Sequence, residues 1–195
     1  IFDAACRQAG VIRCNDISEL HSMPKIFTTM PLLKGNRIAI FTNSGAFGGI
    51  TSDLLVEAGF TVPTLSEKLQ QKIAATGKLY NVGNPIDMGP TLSKETFIDI
   101  FTLLLESDEI DGLVPVLNVW QPVVIEALME LGDICKACDK PASIYVPNAV
   151  DRILQLRREY RLPGFLSPEE AVRALQVSRF YSNAQKKKEQ VASLV

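Results

Sequence analysis

The chain has one histidine, His21, which excludes any site built on several imidazoles. It has no excess of charge: 20 basic and 22 acidic residues leave a formal net charge of −2. That gives no electrostatic case for nucleic acid or for an anionic membrane surface. It has no long apolar run. Charges and glycines interrupt each such stretch well short of bilayer-spanning length, so no transmembrane helix is expected. No segment reads as a secretory signal. The four cysteines stand at 6, 14, 135 and 138. Without a signal, and with the α/β pattern below, they favour free thiols in a reducing cytoplasm. There is no initiator Met. The opening Ile1-Phe2-Asp3-Ala4-Ala5 reads as mid-helix, which predicts a piece cut from a longer polypeptide.

What is present suits one domain with an appendage. The chain has 195 residues, of which 47% are hydrophobic, so an ordinary core can form. Residues 1–34 read as the appendage. Phe2 to Gly10 is a short helix ending in glycine, and Val11–Cys14 is extended. Asp16 or Ser18 caps a second helix that Pro24 disturbs.

From Arg37 strands and helices alternate. Ile38–Asn43 is a buried strand, followed by a helix over Ala46–Ala58 that Gly59 stops. Thr61–Pro63 is a second, short strand. Thr64 and Glu67 form a capping box for a helix to Thr76. Tyr80–Pro90 is a loop, and Ser93 opens a helix to Ser107. Gly112–Asn118 is a strand, Gln121–Asp139 a helix, Ala142–Val146 a strand and Ala149–Tyr160 a helix. Gly164–Leu166 is a short fifth strand. Ser167 to Glu170 form a second capping box with Pro168 at the first helical position. The last helix runs toward the polar tail Lys186–Glu189. Short apolar strands separated by helices predict a parallel sheet covered on both faces. The fold class is α/β: a flavodoxin-like doubly wound sheet of about five strands, with a short N-terminal helical appendage. The expected divisions are 1–34, 35–182 and a helix end or linker at 183–195.

The most informative stretch joins the first strand to the first helix of this sheet. There an apolar strand runs into Ser44-Gly45-Ala46-Phe47-Gly48. The first N–H groups of a helix have no partner inside it, and the helix dipole adds about half a positive charge at that end. Small residues let an anion approach the backbone, so the turn is a candidate seat for phosphate or carboxylate. The competing reading is a tight turn that any doubly wound domain needs, with glycine serving helix–sheet packing. The turn lacks the Lys-Ser/Thr ending of a phosphate-binding nucleotide loop and the G-x-G-x-x-G spacing of a dinucleotide site. Asn118, Pro147 and Asn148 should line the same rim. The Gly83–Pro90 loop either is a structural turn or closes over the seat, with Asn84 and Asp87 as polar contacts.

The remaining candidates are weaker. Cys135 and Cys138 have C-x-x-C spacing, but Cys6 and Cys14 cannot supply a second such pair for a metal. They sit near a helix end rather than a helix start, beside apolar residues, which favours buried core thiols. His21 lies in a helix beside Leu20 and Met23, with no nucleophile or acid in a recognisable motif. Trp120 is open to two readings, a ring packed under a loop or a flat face for a partner or substrate. No metal site is indicated.

Phe2-Asp3-Ala4-Ala5-Cys6-Arg7-Gln8-Ala9-Gly10-Val11-Ile12-Arg13 resembles the segment that leaves the second domain of NDP-forming acyl-CoA synthetases. Thr42-Asn43-Ser44-Gly45, Asn84-Pro85-Ile86-Asp87 and the Ser167–Leu175 run follow in the order of that family's succinyl-CoA-ligase-like flavodoxin domain. The resemblance implies an enzyme that converts acyl-CoA, nucleoside diphosphate and phosphate into carboxylate, CoA and nucleoside triphosphate, reversibly and with Mg²⁺. It implies CoA-binding and ATP-grasp domains as partners, fused or as a separate subunit. It also implies a phosphohistidine or acyl phosphate held by helix N-termini, one of them at Ser44–Gly48. The family histidine belongs to a Ser-His-Thr-Gly-type motif upstream of the stretch matched here, and His21 does not correspond to it. Phe47 stands where relatives often carry proline. The chain by itself is therefore expected to bind no cofactor and to have no turnover. An exposed apolar face left by missing domains is expected to favour artificial homodimers. Two other classes stand beside this reading. One is a regulatory or scaffolding domain of a protein acetyltransferase. The other is a flavin carrier, which the turn disfavours because it lacks a hydroxyl-rich phosphate loop.

Overall fold

The computed structural model describes residues 1–90, 93–118, 122–147 and 150–193. Three short helices lead: α1 (Phe2–Ala9), α2 (Ile17–Ser22) and α3 (Pro24–Thr29). Gly10 ends α1 in the left-handed region at φ 72, which glycine adopts without a Cβ penalty. The Asp16 carboxylate caps α2 by accepting from the Glu19 amide. Pro24 does more than disturb α2: it occupies the first turn of α3, where its missing N–H costs nothing.

The rest is one sheet wrapped by helices. Its strands are β1 (Ile38–Thr42), β2 (Ile86–Asp87), β3 (Gly112–Val116), β4 (Ile144–Tyr145) and β5 (Gly164–Phe165). They run parallel in the order β2-β1-β3-β4-β5, as a flavodoxin-like winding requires. Between and after them lie α4 (Gly45–Glu57), α5 (Glu67–Ala74), α6 (Lys94–Glu106), α7 (Pro122–Lys136), α8 (Val150–Arg158) and α9 (Pro168–Ala192). All residues of β1 and β3 are buried, as expected for central strands covered on both faces. Phe41 of β1 meets Phe97 and Phe101 of α6, with ring centroids 5.0 and 5.8 Å apart. On the other side α4 packs beside α9. The leading helices lie along α9. Phe27 meets Tyr181 edge-on at 5.7 Å, and Ser178 Oγ accepts from the Leu33 amide at 3.0 Å. Among the described residues, no helix is long and apolar enough to cross a membrane.

Four local expectations change. Thr61–Pro63 is not a strand: Thr61 alone bridges Arg37, through Ile38 N–H to Thr61 O at 2.8 Å. The edge position beside β1 is instead completed by β2, inside the segment expected to be loop. The Asn84–Pro85 peptide just before it is cis. Helix α5 is capped by Ser66, which accepts from Leu69 N–H, and not by Thr64. Strand β4 is shorter than expected because Pro115 lies opposite it in β3 and has no N–H to give. At the start of α9, Ser167 caps Glu170 as expected, while Glu170 returns the bond to Leu166 N–H.

Candidate functional site

The strand-to-helix turn after β1 is built by three side chains. Thr42 Oγ1 accepts from the Ser44 amide at 2.9 Å and donates to the Ser44 carbonyl at 3.0 Å. Asn43 reaches across to the end of β3: its Nδ2 donates to Asn118 O at 3.1 Å, and its Oδ1 accepts from Asn118 N–H at 2.9 Å. Phe47 anchors the first turn of α4, meeting Tyr145 at the end of β4 edge-to-face at 5.5 Å. Burial, then the charge of Glu169, pushes the Tyr145 hydroxyl above its ordinary value.

These clamps fix the helix start without closing it. Asp16, Ser66, Ser93 and Ser167 each cap a helix with a side-chain oxygen; Ser44 makes no such bond. Gly48 N–H returns to Ser44 O at 3.1 Å. Among the described residues, the amides of Gly45, Ala46 and Phe47 have no acceptor. Gly45 and Ala46 are exposed, Ser44 and Phe47 half-buried, and Gly48 buried. Gly48 serves packing, since a Cβ there would lie 2.9 Å from Thr42 Cγ2. Among the described residues, the turn therefore combines a tight helix–sheet contact at Gly48 with unaccepted donors at 45–47.

The two loop residues part company. Asp87 joins the turn. Its Oδ1 accepts from Gly89 N–H at 2.8 Å, and its Oδ2 lies so near Gly45 that a Cβ there would be 2.7 Å away. A carboxylate beside a helix start is favoured by the dipole, and here it also sets a negative charge at the edge of the open amides. Asn84 turns the other way. Its Oδ1 accepts from Ile40 N–H at 2.9 Å, and its Nδ2 donates to Ile38 O and Pro63 O at 3.0 and 3.2 Å. Its amide completes the β1 ladder between Thr61 and Ile86 and does not face the turn.

Elsewhere, Cys135 is buried in the core and its thiol is pushed up to about 12, by burial first and then by Cys138. His21 is exposed on α2. Asn118 lies at the rim as expected, whereas Trp120 and Asn148 fall outside the described residues. Among those residues, no group of three His, Cys, Asp or Glu side chains is arranged to hold a metal ion.

No family model matches the chain. It is 36% identical over 117 residues to acetate–CoA ligase [ADP-forming] II subunit alpha of Pyrococcus furiosus, a match covering 60% of this chain and 25% of that protein. It is 31% identical over 172 residues to acetate–CoA ligase [ADP-forming] II of Archaeoglobus fulgidus, covering 84% of this chain and again 25% of the relative. The chain thus spans about a quarter of these relatives' length. A solved structure of PH0766 from Pyrococcus horikoshii superposes with a TM-score of 0.80 at 26% identity, covering 94% of this chain and 44% of that one. The dinucleotide-forming acetyl-coenzyme A synthetase 1 of Ca. Korarchaeum cryptofilum, solved with phosphate and ADP, superposes at 0.79 with 18% identity, over 97% and 42% of the two chains.

Proposed function

Starting from this homology with one segment of the ADP-forming acetate–CoA ligases, we propose that the chain is the succinyl-CoA-ligase-like flavodoxin domain of an NDP-forming acyl-CoA synthetase. The parent enzyme interconverts acyl-CoA, nucleoside diphosphate and phosphate with carboxylate, CoA and nucleoside triphosphate. CoA, nucleotide and Mg²⁺ are held by its CoA-binding and ATP-grasp domains. This chain supplies a place to park negative charge.

The observation that supports the reading is the open start of α4. Among the described residues, the amides of Gly45, Ala46 and Phe47 have no internal acceptor, and Gly45 and Ala46 reach solvent. Donors fixed by Thr42, Asn43 and Phe47 need no reorganisation when charge arrives, so they stabilise a phosphoryl group at little cost. The phosphorylated histidine comes from the upstream domain, and the α4 amides hold its phosphoryl oxygens or those of the acyl phosphate. Asp87, beside Gly45, limits where those oxygens sit. The division into residues 1–34 from the preceding domain, 35–182 as the functional unit and 183–195 as a helix end belongs to the same proposal.

The test is kinetic. In the parent enzyme, Gly45→Val keeps the amide but crowds the approach to it and presses on Asp87, so it should lower kcat by about 100-fold, the scale for denying one oriented donor to developing charge, with the KM for CoA little changed. The isolated chain should show no acyl-CoA-dependent nucleoside triphosphate synthesis. Wild-type rates in the parent variant, or turnover by the chain alone, would contradict the proposal.

A further inference from the structure

A second site stands apart from the α4 turn. Four of the nine arginines in the chain, Arg7, Arg13, Arg173 and Arg179, line one groove of about 610 Å³ between α1, the 11–15 segment and α9. That volume suits a small-molecule ligand. Among the described residues, Asp3 is the one acid in the lining. In a chain with a net charge of −2, this concentration of positive charge is local and unexplained by composition.

Three of the guanidinium groups are held in place by the protein. Arg13 pairs with Asp3. Arg173 donates to Glu19 at 3.1 Å and to Gln176 at 2.7 Å. Arg179 donates to the carbonyls of Gly59 and Ala58 at the end of α4, and stacks over the Phe60 ring at 4.1 Å. A guanidinium has five donors, so each of these leaves some unused. The fourth, Arg7, makes no side-chain hydrogen bond or ion pair among the described residues. Three oriented cations and one free one form a fork for a phosphate-type anion.

The groove continues. Arg7, Phe180 and Asn183 also line a neighbouring cavity of about 670 Å³, whose walls include Ala184 and Val191 together with Lys187 and Lys188. Phe180 stands between the basic end and the apolar end. We propose that this groove binds a phosphate monoester or diester carrying an apolar moiety, with the phosphate among the arginines and the apolar part along Phe180. The site does not rest on the reading of the α4 turn.

Phenyl phosphate tests it, followed by amide and arginine Nε resonances of the purified chain. Saturable shifts should appear at Arg173, Arg179 and Phe180 below about 10 mM, with inorganic phosphate weaker. Arg7→Glu should weaken binding by about tenfold, the scale for one charge-assisted contact. Lys72→Glu, an exposed reversal on α5, should leave it unchanged. Because Arg7 is exposed and has no side-chain partner among the described residues, the variant keeps its fold, which the unshifted spectrum of the sheet checks. Absence of saturable shifts, equal weakening by both reversals, or shifts confined to Gly45–Phe47 would each overturn the proposal. The last outcome would leave the α4 reading standing.

Discussion

The side chain of Asn84 bonds the backbone of Ile40 as a neighbouring strand would. Its Oδ1 accepts from Ile40 N–H at 2.9 Å, while its Nδ2 serves Ile38 O at 3.0 Å. Thr61 covers the start of β1 and Ile86–Asp87 cover its end, so one amide fills the gap that would otherwise leave buried backbone groups unpaired. Asn84→Ala should therefore destabilise the chain by about 1–3 kcal/mol, measured by urea unfolding. A cost within error of zero would show that water replaces the amide freely.

Gly132 packs α7 against the chain after α8. A Cβ there would lie 2.3 Å from the Tyr160 carbonyl oxygen, a backbone atom that cannot swing aside. Gly132→Ala should cost about 1–3 kcal/mol despite the better helix propensity of alanine. A urea midpoint at or above wild type would contradict the packing argument.

Arg37 grips Asp111 with two bonds, Nη2 to Oδ1 at 2.7 Å and Nε to Oδ2 at 3.1 Å. The Arg37 hydrogen bond is the main cause holding the Asp111 carboxyl below its ordinary value, against an opposing push from burial. A carboxyl depressed in the folded state contributes stability that is present above its unfolded value and is lost as pH falls through the folded one. Asp111→Asn should thus lower stability near neutral pH and flatten the acid limb below about pH 4. Unfolding curves from about pH 6 down to about pH 3 check this. An acid limb identical to wild type would contradict it.

Cys135 is the thiol least able to react, because it is buried and pushed up to about 12. Iodoacetamide at neutral pH should label the half-buried Cys6, Cys14 and Cys138 first, with Cys135 last by mass spectrometry. Early labelling of Cys135 would contradict the burial argument.

The parts of this fold that were legible carry local signals. The apolar run Ile38–Phe41 leading into the turn at Ser44-Gly45 marked β1 and α4, and Ser93 and Ser167 marked their helices because a cap acts within three residues. The parts that were not legible depend on distance or competition. Strand β2 is two residues long inside an Asn-Pro segment, and its ladder is continued by a side chain, which no periodicity reports. The Asn43–Asn118 link joins residues 75 apart. The spacing of Thr64 and Glu67 points to Thr64 as the cap, whereas Ser66 takes that place and also bonds Glu109 through its hydroxyl at 2.6 Å. At the candidate site, glycine and small residues flagged the open amides. The position of Asp87 against Gly45, and the turning away of Asn84, came only from the three-dimensional arrangement.

The most direct test of the α4 proposal is an amide titration of the chain with inorganic phosphate. Saturable shifts of the Gly45, Ala46 and Phe47 N–H resonances are expected, lost in Gly45→Val while the sheet resonances stay in place. Unmoved resonances at these three positions, or shifts that survive Gly45→Val unchanged, would contradict it.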